Sequence, residues 1–240
     1  AEADAPLKTV EWSLKPARGA LELSAPQEAV AHLERARAQI VHLAPRQQTV
    51  YEIETLSLLG PQLLAAKGFA DPEVHEVNDR LRALAVEKKS PLAPQAHWGL
   101  WSYLVVRAEL DQAAEVATAL RRSEIDAPRA PRWLGPGLHY MDGLNAFYRG
   151  EFRRALIELE AGDKTVPDDH DVSNVDILGI DLSVAAGAYR AWCHAFLKDA
   201  SSASEEAEAA ALRAEDGGHG FSSAFARVMA AVSYLFLDRP

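Results

Sequence analysis

Leu138 to Gly162, LHYMDGLNAFYRGEFRRALIELEAG, is the stretch whose reading decides the fold. Leu138 to Tyr148 and Phe152 to Ala161 each carry apolar residues at helical spacing, and Arg149-Gly150-Glu151 between them leaves room only for a tight turn. The two segments therefore form a helical hairpin. Ala155 stands where the second helix must approach the first closely, and Gly162, seven residues on, lies on the same face two turns later. Arg107-Ala108-Glu109-Leu110 is built like Arg149-Gly150-Glu151-Phe152, and the same inserted apolar residue stands three positions before Ala113 as before Ala155. A small or apolar residue recurs in this place at Ala29, Val74, Ala113, Ala155 and Ala203, and its partner two turns later is Ala36, Leu81, Leu120, Gly162 and Ala210. The intervals between successive copies are 45, 39, 42 and 48 residues. One hairpin has too little core to stand alone, so such copies must stack, and the expected result is a right-handed solenoid.

The rest of the chain fits between these anchors. Gln27 to Ile40 repeats apolar residues at helical spacing behind Pro26, whose missing N–H costs nothing at a helix start. Arg46 to Lys67 reads as a second helix with a kink at Gly60-Pro61, because a proline ring clashes with the preceding turn. Asp71-Pro72-Glu73 supplies a cap, a first-turn proline and an acidic residue for a helix ending near Lys88. Further helices are expected over about 95–107, 110–120 and 182–197, from Ser202 with Glu205 as a capping box, and over about 221–237. Prolines from Pro128 to Pro136 and the polar run Lys164 to Asn174 mark longer loops. Strand signals of period two are nearly absent, so the fold class is all-α.

Composition limits the function. The chain has 240 residues, 48% hydrophobic and 25% charged, with a formal net charge of −10. No apolar run reaches the roughly 18 residues of a membrane-spanning helix, and Ala1-Glu2-Ala3-Asp4 lacks the apolar core of a signal peptide. Cys193 is the sole cysteine, which excludes an internal disulfide and fits a reducing cytoplasm. The acidic balance argues against a nucleic-acid surface, which needs clustered Lys and Arg against phosphates.

Gly143, Gly150, Phe152 and Ala155 resemble the tetratricopeptide repeat, with a small residue at the eighth place of the first helix and alanine at the twentieth of the repeat. Trp101 and Val74 depart from that pattern, and the intervals exceed the standard period of about 34 residues. A narrower resemblance covers about Pro16 to Pro240. LLGPQLLAAKGFADPEV (Leu58 to Val74), HWGLWSYLVVRAELDQAAEVA (His97 to Ala117), YRGEFRRALIELEAG (Tyr148 to Gly162) and GGHGFSSAFA (Gly217 to Ala226) are similar to the divergent repeat region C-terminal to the ATPase in bacterial STAND-type signalling proteins. Those proteins often carry a class III adenylate or guanylate cyclase domain or a DNA-binding domain. The resemblance implies one tetratricopeptide-like α-α superhelix over residues 1–240, of about eleven helices. It further implies a regulatory, non-catalytic, cytoplasmic module cut from a larger multidomain protein. No Gly-x-x-x-x-Gly-Lys-Ser/Thr loop occurs here, so the ATPase itself is expected elsewhere.

Candidate sites follow from that register. Its second, fifth, ninth, twelfth and thirteenth places would line a concave groove through Trp98, Ser102, Tyr140, Leu144, Phe147, Tyr148, Trp192 and Phe196. Rings of this kind suit an apolar peptide or helix, from a separate protein or from the parent's own ATPase or cyclase domain. The same rings could equally pack on one another. A carboxylate clamp is not expected, since the fifth and ninth places hold Trp98/Ser102, Tyr140/Leu144 and Ala188/Trp192 instead of Lys and Asn. Small-molecule effector sensing is the alternative function, requiring different affinity for two states. No catalytic constellation is present: Cys193 reads as a core thiol, and His194 beside it points about 100° away. Asp168-Asp169-His170-Asp171 lacks the glycine and glutamate of a calcium loop and reads as solvated loop, so neither metal nor cofactor is expected. Glu205, Glu206 and Glu208 read as an exposed helix face, and His97, His139 and His219 as packing or capping residues.

Overall fold

Prolines open four consecutive helices of the chain. In the computed structural model, which describes residues 5–22, 25–68, 71–88, 94–124, 131–165 and 178–237, the helices α2 (Pro26–Ile40), α3 (Pro45–Lys67), α4 (Pro72–Lys88) and α5 (Pro94–Val106) all begin on proline. A proline in the first turn has no N–H to waste and its φ is already helical. Asp71 adds a side-chain cap, its Oδ1 accepting from the Glu73 N–H at 2.9 Å. Ahead of these lies α1 (Ala5–Glu22), which has no counterpart among the helices expected from sequence. Pro16 interrupts its pattern, yet Val10, Leu14, Ala17 and Ala20 are buried at helical spacing. The remaining helices are α6 (Leu110–Glu124), α7 (Leu134–Tyr148), α8 (Phe152–Asp163), α9 (Leu182–Phe196), α10 (Ala200–Gly217) and α11 (Gly220–Phe236). The fold is all-α, with no strand among the described residues.

The chain divides into two compact units, Ala1–Val106 and Arg107–Pro240. Within the first, α1 packs on α2, α2 on α3, α3 on α4 and α5, and α4 on α5. α3 continues as one helix through Gly60-Pro61. That pair is also a contact point: a Cβ on Gly60 would lie 3.5 Å from Asn78 of α4, and the Pro61 ring lies 3.5 Å from where Gly99 of α5 would carry one. Within the second unit, α6 meets α7, α7 and α8 form a hairpin, and α9 and α10 form another. α9 also packs on α7 and α8, while α11 packs on α9 and α10. In the second unit α9 thus meets both helices of the hairpin before it, and α11 both helices of the next.

The repeated positions are the close-approach points. Ala29, Val74, Ala113, Ala155 and Ala203 are all buried, as are Ala36, Leu81, Leu120, Gly162 and Ala210. At Gly143 a Cβ would sit 2.8 Å from the Leu159 side chain and 3.5 Å from the Ala155 carbonyl oxygen, so Leu159 of α8 packs directly on the α7 backbone there. A Cβ on Gly187 of α9 would lie 3.2 Å from Ala210 of α10, the same approach that His139 of α7 makes to Gly162 of α8.

The turns repeat as well. Ala108, Gly150 and Lys198 each hold the left-handed conformation, with φ of 60°, 79° and 65°, and each stands two residues before a second helix. At Gly150 the Glu151 N–H donates to Ala146 O and the Gly150 N–H to Phe147 O. At Lys198 the Asp199 N–H donates to His194 O and the Lys198 N–H to Ala195 O. Both are the double closure that satisfies the last carbonyls of a helix. The α10 start differs from the expected Ser202 capping box: Asp199 is the cap, accepting from the Ser202 N–H at 3.2 Å, while the Ser201 hydroxyl donates to Glu205.

Candidate functional site

The aromatic residues of the second unit join into one band across α7, α9 and α11. Phe147 lies at its centre, with ring centroids 5.2 Å from Tyr189, 5.3 Å from Tyr148, 5.6 Å from Phe152, 6.0 Å from Phe196 and 6.1 Å from Trp192. Phe152, at the start of α8, stacks on Phe196 at 4.7 Å, and Phe196 reaches Phe236 of α11 at 4.6 Å. Trp192 is held at both ends. Its ring edge meets Phe236, and its Nε1–H donates to Met229 O at 2.8 Å. Edge-to-face and offset contacts of this kind add about 0.5–1.5 kcal/mol per pair beyond burial.

Burial sorts the expected groove residues into two groups. Tyr140, Leu144 and Phe147 are buried and face the neighbouring helices, so they cannot line an open surface. Tyr148 and Phe196 remain 47% and 39% exposed, and Trp192 is half-buried. Tyr148 and Phe196 hold the same place in successive hairpins, at the last residues of α7 and α9. Trp98 and Ser102 lie on α5 in the first unit, where Trp98 is buried with its ring centroid 5.2 Å from that of Trp101 and Ser102 is half-buried. Packing of the rings on one another thus accounts for the interior of the band, and a rim is left for contact.

The rim has a polar feature that composition does not reveal. The Tyr148 and Tyr189 hydroxyls are 2.9 Å apart, and burial, together with the neighbouring tyrosines, raises the Tyr189 phenol well above its ordinary value. Tyr189 is buried, so of the pair only Tyr148 stands at the exposed edge of the band. Tyr189, Phe152 and Phe236 were absent from the expected site because they stand off the assumed register. Their signal was only that they are aromatic and near the expected positions.

Behind the band sits a buried cation. Arg190 of α9 is buried, yet it donates through Nε and Nη2 to both carboxylate oxygens of Glu206, at 3.0 and 2.9 Å, and through Nη1 to Asp163 at 2.6 Å. One guanidinium thereby ties α9 to α10 and α8. Glu206 is accordingly half-buried and paired instead of lying on a free exposed face. The clue was an arginine inside the otherwise apolar string LSVAAGAYRAWCHAF.

The other candidates have structural roles. Cys193 is buried, and burial pushes its thiol up to about 12, which makes it a poor nucleophile. His194 pairs with Asp199 at 3.4 Å, and His139 with Glu158 at 3.0 Å. His219 caps α11, its Nδ1 accepting from the Ser222 N–H. Asp168 to Asp171 lie outside the described residues. Among the described residues no cluster of three His, Cys, Asp or Glu could hold a metal ion, and no helix is long and apolar enough to cross a membrane. A cavity of about 10 Å³ lined by Tyr140, Leu159, Asp163, Leu182 and their neighbours has room for about one water. No protein-family model, curated protein or solved structure matches the chain.

Proposed function

We propose that this chain is a divergent tetratricopeptide-type superhelical repeat module of a bacterial signalling protein. It has no catalysis of its own and holds an apolar protein segment against the exposed rim of its aromatic band. One observation carries this reading: Tyr148 and Phe196, equivalent residues of successive hairpins, each expose a ring edge over a rigid aromatic core. Rigid rings with few rotors lose little entropy on binding, and the Tyr148 hydroxyl offers a polar anchor beside them. The partner is an amphipathic helix or the parent's ATPase or cyclase domain.

The test is a peptide array of amphipathic helices presenting apolar residues at i, i+3, i+4 and i+7, probed with the wild-type chain and with a Tyr148→Ala/Phe196→Ala variant. Both side chains are exposed enough for the variant to keep its helical circular dichroism. The reading expects bound peptides with wild type and their loss with the variant. Peptide binding indifferent to the two substitutions would refute the rim as the site.

A further inference from the structure

The hydroxyls of Tyr148 and Tyr189, 2.9 Å apart, hold one proton each, and only one arrangement of the two protons leaves neither stranded. Tyr189 is 8% exposed, and among the described residues its hydroxyl meets no hydrogen-bonding group besides Tyr148. The rings of Phe147, Trp192 and Phe225 surround it, with centroids 5.2, 6.0 and 6.3 Å from its own. Were Tyr148 the donor, the Tyr189 proton would be turned into that apolar wall, and a buried donor without an acceptor is costly. With Tyr189 as the donor, its proton is used inside the band and the Tyr148 proton is left for the exposed side. Burial above all, with the neighbouring tyrosines and this bond, keeps the Tyr189 phenol protonated and in that role. A hydroxyl that accepts one hydrogen bond donates more strongly through its own proton. The rim therefore carries a directed donor beside its rings, and it calls for an acceptor.

The surroundings narrow what that acceptor is. The chain's charge of −10 opposes a carboxylate, and the adjoining Arg149 already donates to Asp111 at 2.6 Å. A neutral carbonyl is the better match. Along a helix each carbonyl is taken by the N–H four residues on, and only the last four lack a partner within the helix.

We infer that the segment held at the rim docks with its C-terminal turn on Tyr148, a free carbonyl of that turn accepting the Tyr148 hydroxyl proton. Its apolar face covers the rings of Tyr148 and Phe196, and its earlier turns lie toward Phe196. This rests on the rim as the binding site and adds a direction and a chemical requirement to it. Tyr189 is the positioning residue, because it fixes which way the Tyr148 proton points.

The test uses the full chain and an amphipathic peptide that binds it in the array. Tyr148→Phe keeps the ring and removes only the donor, and it is expected to weaken binding by about three- to tenfold. Tyr189→Phe is expected to weaken binding by less. If instead Tyr148 donated inward, removing its acceptor would free the proton, and Tyr189→Phe would bind more tightly. A nitroxide on the peptide's C-terminus is expected to broaden the Tyr148 ring signal of 13C-tyrosine-labelled chain more than one on its N-terminus, with the signal assigned by its loss in Tyr148→Phe. Unchanged affinity in Tyr148→Phe, tighter binding in Tyr189→Phe, or stronger broadening from the N-terminal label would overturn the inference while the rim stands. Binding indifferent to Tyr148→Ala/Phe196→Ala would remove the rim and the inference together, so the two failures are told apart.

Discussion

Lys198 holds a backbone conformation that glycine adopts freely, in a turn bonded like the one at Gly150. A Cβ in the left-handed region costs about 1 kcal/mol, so Lys198→Gly should raise stability by roughly 0.5–1 kcal/mol, while Gly150→Ala should lower it by about 1 kcal/mol. Thermal melts of the two variants check the pair of signs. The next residue, Asp199, has its carboxyl held below the usual value, first by the Ser202 hydrogen bonds and then by His194. A depressed folded value means that this stabilisation is complete above the ordinary carboxylate range and is lost as pH falls through the folded value. Asp199→Asn should therefore flatten the acid limb of the stability curve and leave its shape near neutrality unchanged, as urea titrations from pH 3 to 7 would read. Arg149-Gly150-Glu151 was legible as a turn because glycine announces one. Lys198 was not, since only the hydrogen bonding of its neighbours selects the left-handed state.

At the scale of elements, Arg190 decides how α8, α9 and α10 are joined. Its guanidinium is buried, whereas Asp163 and Glu206 keep about a quarter of their side chains in water. Removing Glu206 leaves the buried guanidinium with Asp163 alone of its two carboxylates; removing the cation leaves two anions that can still be solvated. Glu206→Gln should thus destabilise by about 2 kcal/mol and by more than Arg190→Met, a ranking opposite to that of simple bond counting. Chemical denaturation of both variants measures it. Helix existence was readable throughout the second unit from apolar spacing, and the buried alanines at 113, 155 and 203 were found from their intervals alone. α1 went unread, although Val10, Leu14 and Ala17 stand at helical spacing on either side of Pro16. The pairing of Glu206 escaped because period and composition do not say which charged residue meets which across two helices.

The whole molecule comprises two compact helical units, and the aromatic band lies entirely in the second. Sequence located most of that band through the repeat register, but only packing shows that Tyr140, Leu144 and Phe147 are its interior and that Tyr148 and Phe196 are its rim. The charge of −10 sets a further expectation: binding of an apolar segment at the rim should depend little on salt, because the contact is made by rings and a hydroxyl. Titrations at low and high ionic strength test that. The most direct measurement of the central claim is hydrogen exchange by mass spectrometry on the full chain, with and without a peptide selected from the array. Protection is expected at the last turns of α7 and α9 and in the turns after them, around Tyr148 to Phe152 and Phe196 to Ala200. Protection confined to α1–α5, or none on either unit at saturating peptide, would contradict the account.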